Sequence, residues 1–447
     1  MFISPHKMFA PANSDGDSII LSRLDCDVYK FVMGQFIWKQ GVHGVPVTFG
    51  FKVRTKGVQL GKIIPEQALR EQLNALRSLR FTETELSQLA GMTITGKNGT
   101  RHMFELPFID VLRKLALPDF DLEYRPDGTI KLQFSGPWLA TMFWETAAMA
   151  IISELYYWHL WKAGFESGEY SSSDFSSFYA QWYQRTIDTC NKLKQYPGLT
   201  FSQFGHRRRH CRQGEVIVQD VFNERIPLQC TAPSNVWLAF RYGMNNPKGT
   251  NAHEQFMVWA TLNGNTDEWI VQSPYDLVRK WNAYYPELAI LLPDTFGTLA
   301  FINNAPEDIV RTTNGVRIDS GDEKFITSKL MEWFKGWGED PKNKTFIPSD
   351  GLDADRMIDL YNTFAHIVGV ETFGLGTLAT NNINGIFPES TGFHTLSMVI
   401  KVTHANGFFT VKLSDNSDKA TSESPAEKER YMRLFPQNRE FHRTQVV

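Results

Sequence analysis

From about residue 199 onward the chain repeats one pattern: a short apolar run ending in polar residues or glycine, then a stretch with helical spacing. The runs are 227–231, 288–294, 316–320, 344–350 and 370–376, and helix-like stretches such as 235–242, 324–337 and 354–367 lie between them. Such βα repeats call for parallel strands covered by helices, as a barrel or an open doubly wound sheet. With 199–204 and 396–402 the strands number about seven, nearer a barrel than a Rossmann sheet. No G-x-G-x-x-G follows the first strand. Acids fall at the ends of the runs: Asp294, Asp319 with Asp322, and Asp350 with Asp353, with Gly374 and Gly376 closing the last. In a barrel that edge is the catalytic face. Any one acid could cap the following helix, but recurrence at equivalent places points to a shared site.

The first third is of a different kind. Leu69, Leu73 and Leu76 share one face of a helix beginning near Pro65, and Thr82-Glu83-Thr84-Glu85 spells a capping box. Alternating runs on either side of Pro126-Asp127-Gly128 signal a hairpin. At 447 residues one simple core is not expected. The division expected is an α+β domain over 1–137, joined by 406–447, and a catalytic barrel over 138–405.

A net charge of -3 gives no reason to expect nucleic acid. Cys26, Cys190, Cys211 and Cys230 form no C-x-x-C pair, which argues against a zinc knuckle or a disulfide framework and fits the reducing cytoplasm. The first 18 residues lack the apolar core of a secretory signal. The most apolar stretch, 138–165, is interrupted by Glu145, Glu154 and Lys162, so a buried helix is expected there and not a membrane span.

Chemistry concentrates in a few places. Phe204-Gly205-His206-Arg207-Arg208-Arg209 joins an aromatic face, a glycine and three guanidinium groups, a combination suited to a flat anion. His206 and His210 stand at metal-ligand spacing, but the arginines between them oppose a cation. Asp319-Ser320-Gly321-Asp322, Ser349-Asp350-Gly351 and Phe373-Gly374-Leu375-Gly376-Thr377 offer backbone N–H groups and hydroxyls for phosphate. His253-Glu254 precedes a helical stretch whose positive end favours negative charge. Asp25 and Asp27 read first as helix caps.

In this order the motifs resemble the nicotinate phosphoribosyltransferase family over most of the chain. The likeness rests on Leu24-Asp25-x-Asp27-x-Tyr29-Lys30, Phe204-Gly-x-Arg-Arg-Arg209, Gly249-Thr-x-Ala-His-Glu254, Asp294-Thr-Phe-Gly-Thr298, Arg317-x-Asp-Ser-Gly-Asp322 and Lys412-Leu-Ser-Asp-Asn416. The chain departs from the family pattern at Cys26, His206 and Gln255.

The resemblance implies an irregular α/β barrel of the type II phosphoribosyltransferase kind, with a mixed α+β N-terminal domain, working as a homodimer with shared sites. It implies transfer of phosphoribose from phosphoribosyl pyrophosphate (PRPP) to nicotinate, in NAD biosynthesis, with Mg2+ carried on the pyrophosphate. It also implies coupling to ATP hydrolysis through a phosphohistidine at His253, with Glu254 beside it.

In those roles Phe204 and Tyr29 of the partner subunit sandwich the pyridine ring, and Arg207 neutralises its carboxylate or a neighbouring phosphate. Asp319, with Asp350 as a second candidate, holds ribose hydroxyls or magnesium. Arg317, Ser320, Gly321, Gly351, Gly374, Gly376 and Thr377 bind the phosphates. The related nicotinamide-using enzymes place an aspartate where this chain reads Thr231-Ala232-Pro233-Ser234-Asn235, so Ser234 favours nicotinate. A nicotinamide-using enzyme or a non-catalytic PRPP-binding relative are the alternatives.

Overall fold

A computed structural model of the chain describes residues 18–97 and 99–436. Its strands are β1 (Pro46–Val53), β2 (Thr93–Gly96), β3 (Gly99–His102), β4 (Phe120–Tyr124), β5 (Ile130–Pro137), β6 (Thr200–Gln203) and β7 (Cys230–Pro233). There follow β8 (Ile290–Leu291), β9 (Gly315–Ile318), β10 (Thr345–Pro348), β11 (Val370–Leu375), β12 (Met398–Ala405) and β13 (Phe408–Phe409).

Strands β6 to β11 form one parallel sheet in the spatial order β7-β6-β11-β10-β9-β8. Taken as a ring this is sequence order, with β11 returning to β6. The chain thus builds an irregular α/β barrel, open between β7 and β8, which do not pair among the described residues. Helices such as Arg212–Arg225, Glu323–Gly336 and Ala354–Phe364 follow the strands and cover them. The covering is packed through apolar side chains such as Phe346 of β10, which meets the ring of Phe334 at 6.2 Å.

The second sheet is antiparallel, in the order β13-β12-β1-β5-β4. The hairpin around Pro126 is β4 and β5, and the Thr82 capping box is closed in both directions at the start of the helix Glu83–Ala90. Here one expectation fails. The run 396–402, counted among the barrel strands, becomes β12 and pairs with β1 along its length, so the barrel has six strands and ends before residue 398. Its burial alternates, with Met398, Ile400 and Val402 buried and Val399 and Lys401 part-exposed, the signature of an antiparallel strand with unlike faces.

The apolar stretch expected as one buried helix is two, Trp138–Thr141 and Trp144–Ser167. Most of the first half of the longer helix is buried, Glu145 and Glu154 included. Among the described residues no helix is long and apolar enough to cross a membrane.

Candidate active site

A cavity of about 540 Å³ opens where the barrel's carboxyl ends meet the antiparallel sheet. Phe204, Arg207 and Arg208 line it from the segment after β6, Arg317 and Asp319 from the end of β9, Ser349, Asp350 and Gly351 from the loop after β10, and Gly376 and Thr377 from that after β11. His253 and Glu254, the first residues of the helix His253–Trp259, line it too. Phe204 and Asp319 therefore face one space. An aromatic wall and an anionic loop can act on the same ligand.

The three adjacent arginines do not act together. Residues His206–Arg208 form a 3-10 turn, whose three residues per turn aim successive side chains about 120° apart. Arg207 faces the cavity. Arg208 donates from Nε and Nη2 to the Met398 carbonyl, at 3.0 and 2.8 Å, which ties the barrel loop to β12. Arg209 is fully buried and turns away: it binds both carboxylate oxygens of Asp25, at 2.9 and 3.1 Å, and single oxygens of Glu154 and Glu215. Asp25 is thus a counter-ion and not a helix cap. His206, 3.4 Å from Glu215, belongs to the same buried network.

At the acid end, Arg317 holds Asp319 Oδ1 at 2.7 Å, Ser349 Oγ at 3.0 Å and the Asn251 carbonyl at 3.3 Å, so one guanidinium fixes three loops. Although burial alone would raise the Asp319 carboxyl, Arg317 and His253 hold it well below the usual carboxylate range. Asp350 lies the other way: burial raises it, against the pull of Lys419. His253 Nε2 is 2.8 Å from Asp294 Oδ1 and 2.9 Å from Lys412 Nζ. Burial lowers the imidazole to about 4, so it is neutral at pH 7 and keeps a lone pair for nucleophilic attack.

Two trios bring metal-ligand atoms together among the described residues, Asp25-His206-Glu215 and His253-Asp294-Asp319. Each already holds a cation. Arg209 occupies the first, and Lys412 sits against His253 and Asp294 in the second.

Several sequence assignments change. Asp322 and Asp353 are helix caps, accepting from the backbone N–H of Phe325 and Arg356. Ser320 and Gly321 stand behind the site: Ser320 Oγ donates to Asp294 Oδ2 at 2.6 Å, and Gly321 packs on Asp415 in a left-handed conformation. Gly374 is not among the residues that line the cavity, and it gives clearance: a Cβ there would lie 2.8 Å from the Phe204 ring and 2.9 Å from Ser349 Cβ. The Glu254 carboxylate is committed to Lys30 and accepts from Trp138 Nε1 at 3.2 Å. Tyr29, assigned from a partner subunit, lines this chain's own cavity and donates to Glu145 Oε2 at 3.3 Å. Ser234 lines the cavity as expected, but its hydroxyl donates to the carboxyl of Asp27, so the position is not free of carboxyl groups. Burial raises the Asp27 carboxyl, which favours its neutral form.

Sequence patterning left five cations of the cavity without a role: Arg54 after β1, Lys248 before the helix His253–Trp259, Lys401 on β12, Lys412 and Lys419. They come from segments remote in sequence, and only the fold brings them to the barrel mouth. Lys412 alone lay in a quoted motif.

Comparison with known proteins agrees with this geometry. Residues 24–153 match the nicotinate phosphoribosyltransferase (NAPRTase) N-terminal domain, and residues 199–438 match the nicotinate phosphoribosyltransferase (NAPRTase) family. A solved nicotinate phosphoribosyltransferase from Vibrio cholerae is 25% identical with a TM-score of 0.79, the match covering 96% of this chain and 95% of that one. One from Porphyromonas gingivalis is 26% identical with a TM-score of 0.77, over 93% of this chain and 100% of that one. A putative nicotinate phosphoribosyltransferase from Saccharomyces cerevisiae is 25% identical with a TM-score of 0.77, over 94% and 99%. With both family regions matched, and a cavity that sets an aromatic wall and arginine against acidic barrel loops, the chain belongs to the nicotinate phosphoribosyltransferase family.

Proposed function

We propose that the chain transfers phosphoribose from PRPP to the ring nitrogen of nicotinate, releasing nicotinate mononucleotide and pyrophosphate. The observation that carries this is the single cavity lined by Phe204, Arg207 and Asp319. Phe204 stacks on the pyridine ring, Tyr29 supplies a second aromatic wall, and Arg207 pairs with the ring carboxylate. As the ring nitrogen bonds to the ribose carbon, the bond from that carbon to pyrophosphate breaks. Asp319, held ionised by Arg317, favours the positive charge that develops on the sugar. Asp350 and Asp319 offer the hard oxygen donors that fit a magnesium ion arriving with pyrophosphate, where its charge would ease departure of the leaving group.

ATP coupling rests on His253. Its Nε2 lies between Asp294 Oδ1 and Lys412 Nζ, and the neutral ring keeps one nitrogen lone pair that a phosphoryl group can take. Nicotinate is preferred to nicotinamide because Arg207 meets an anion. Two copies are taken to assemble as a dimer.

The assay supplies PRPP, magnesium and either ring, with and without ATP. Mononucleotide from nicotinate, stimulated by ATP, is expected, and product from neither ring would overturn the proposal. His253→Ala should retain slow transfer and lose the ATP stimulation. Unchanged stimulation would remove His253 from the coupling.

A further inference from the structure

Lys401 has no part in the chemistry above. It lies within β12, opposite Gly50 of β1, and lines the cavity from the antiparallel sheet. Among the described residues its ammonium makes no hydrogen bond and no ion pair. The charged groups that face it are Lys412, from the segment after β13, Arg54, at the end of β1, Arg207, from the turn after β6, and Glu145, at the start of the long buried helix. Asp319 and Asp350 stand on the barrel side of the same cavity. Glu145 cannot answer all four cations, since it is already bound to Lys30. Lys401 is part-exposed to the cavity, and its withdrawal from bulk water into the wall, and then the charge of Lys412, lower its ammonium to about 7 against the pull of Glu145. An anion with several charges would complete this wall.

We propose that Lys401 is a polyphosphate-binding residue, and that it takes up a proton as the ligand enters between β12 and the barrel loops. The idea rests on the phosphoribosyl-transfer reading for the nature of its ligand. Two ligands carry the required chemistry, the pyrophosphate of PRPP and the triphosphate of ATP. The cavity wall, with Lys412, Arg54 and Arg207 beside it, favours the neutral amine of Lys401. A phosphate chain against it restores the charged form, so binding draws a proton from the buffer.

The test is calorimetric titration of the whole protein at pH 8, with magnesium, in two buffers of different ionisation enthalpy. PRPP alone is the ligand in one arm and a non-hydrolysable ATP analogue in the other. Uptake approaching one proton is expected in the arm whose ligand Lys401 meets. In that arm Lys401→Met should weaken binding about tenfold or more and abolish the uptake. Lys401→Arg, charged at every working pH, should bind within about threefold of wild type and also take up no proton. An unchanged affinity and proton count in Lys401→Met would overturn the proposal. Should that variant fail to fold, undiminished uptake in Lys401→Arg would overturn it equally, as would failure of the wild-type protein to bind either ligand. Binding with the expected uptake, but no nicotinate mononucleotide formed, would sink the proposed reaction and leave Lys401 in place.

Discussion

At the scale of single residues, the site is organised by where side chains point, and three neighbours of one chemical type can serve three purposes. Arg207 meets ligand, Arg208 clamps a backbone carbonyl of β12, and Arg209 neutralises buried acids. Their residue types were legible in sequence, because a run of guanidinium groups beside an aromatic is rare enough to notice. Their division was not, since it depends on a 3-10 turn that no periodicity announces. Gly374 makes the same point. As sequence it reads as a phosphate-binding glycine, whereas in the fold it clears space for Phe204. Gly374→Ala should therefore push the Phe204 ring from its seat, raising the KM for nicotinate about tenfold and leaving that for PRPP within about twofold. Steady-state kinetics with each substrate varied in turn would check this. Equal increases in both constants would return Gly374 to the phosphates.

At the scale of elements, strand count and strand membership separate. The alternation of short apolar runs with helices correctly indicated a barrel, because buried parallel strands must be covered on their outer face. Strand β12 escaped that logic: its period-2 burial was present in Met398, Ile400 and Val402, but its place beside β1 depends on a pairing across about 350 residues. β11 carries a consequence of its own. Thr372 lines the cavity, so Glu371 faces the helical layer, where it is 5% exposed and both carboxylate oxygens lack a hydrogen-bond partner. Burial pushes this carboxyl up to about 8. The folded chain then keeps a proton that the unfolded chain gives up from about pH 4.5, so Glu371 erodes stability as pH rises from there through about 8. Glu371→Gln removes the titration. Its melting temperature, compared with wild type at pH 5, 7 and 9, should show an advantage that grows with pH, worth up to ~5 kcal/mol at the alkaline end. A difference that stays flat with pH would mean that the carboxyl is answered by water or another group.

At the scale of the whole molecule, composition conceals the field that matters. The chain is acidic overall, with a net charge of -3, yet eight lysine and arginine side chains line the cavity against six carboxyl groups. One of those carboxyls, Glu254, is pushed up to about 7 by burial, so the acids offset the cations less than their number suggests. The cations also come from both sheets: Arg54 and Lys401 from the antiparallel one, Arg207, Arg208 and Arg317 from the barrel. A field assembled this way exists only when both layers are docked, which is why no local stretch of sequence reveals it. It should attract ligands in proportion to their charge, and salt should weaken it, because the screening length falls from about 10 Å at 0.1 M to about 3 Å at 1 M. PRPP, with several negative charges, should show a KM that rises roughly fivefold between 0.1 and 0.5 M KCl, while that for singly charged nicotinate rises less than about twofold. The kcat should change little, since the buried pairs Arg209–Asp25 and Lys30–Glu254 lie beyond the reach of bulk ions. Parallel increases for the two substrates would mean that salt acts on the fold. No increase for PRPP would mean that the cavity's cations are already neutralised by their own carboxylates.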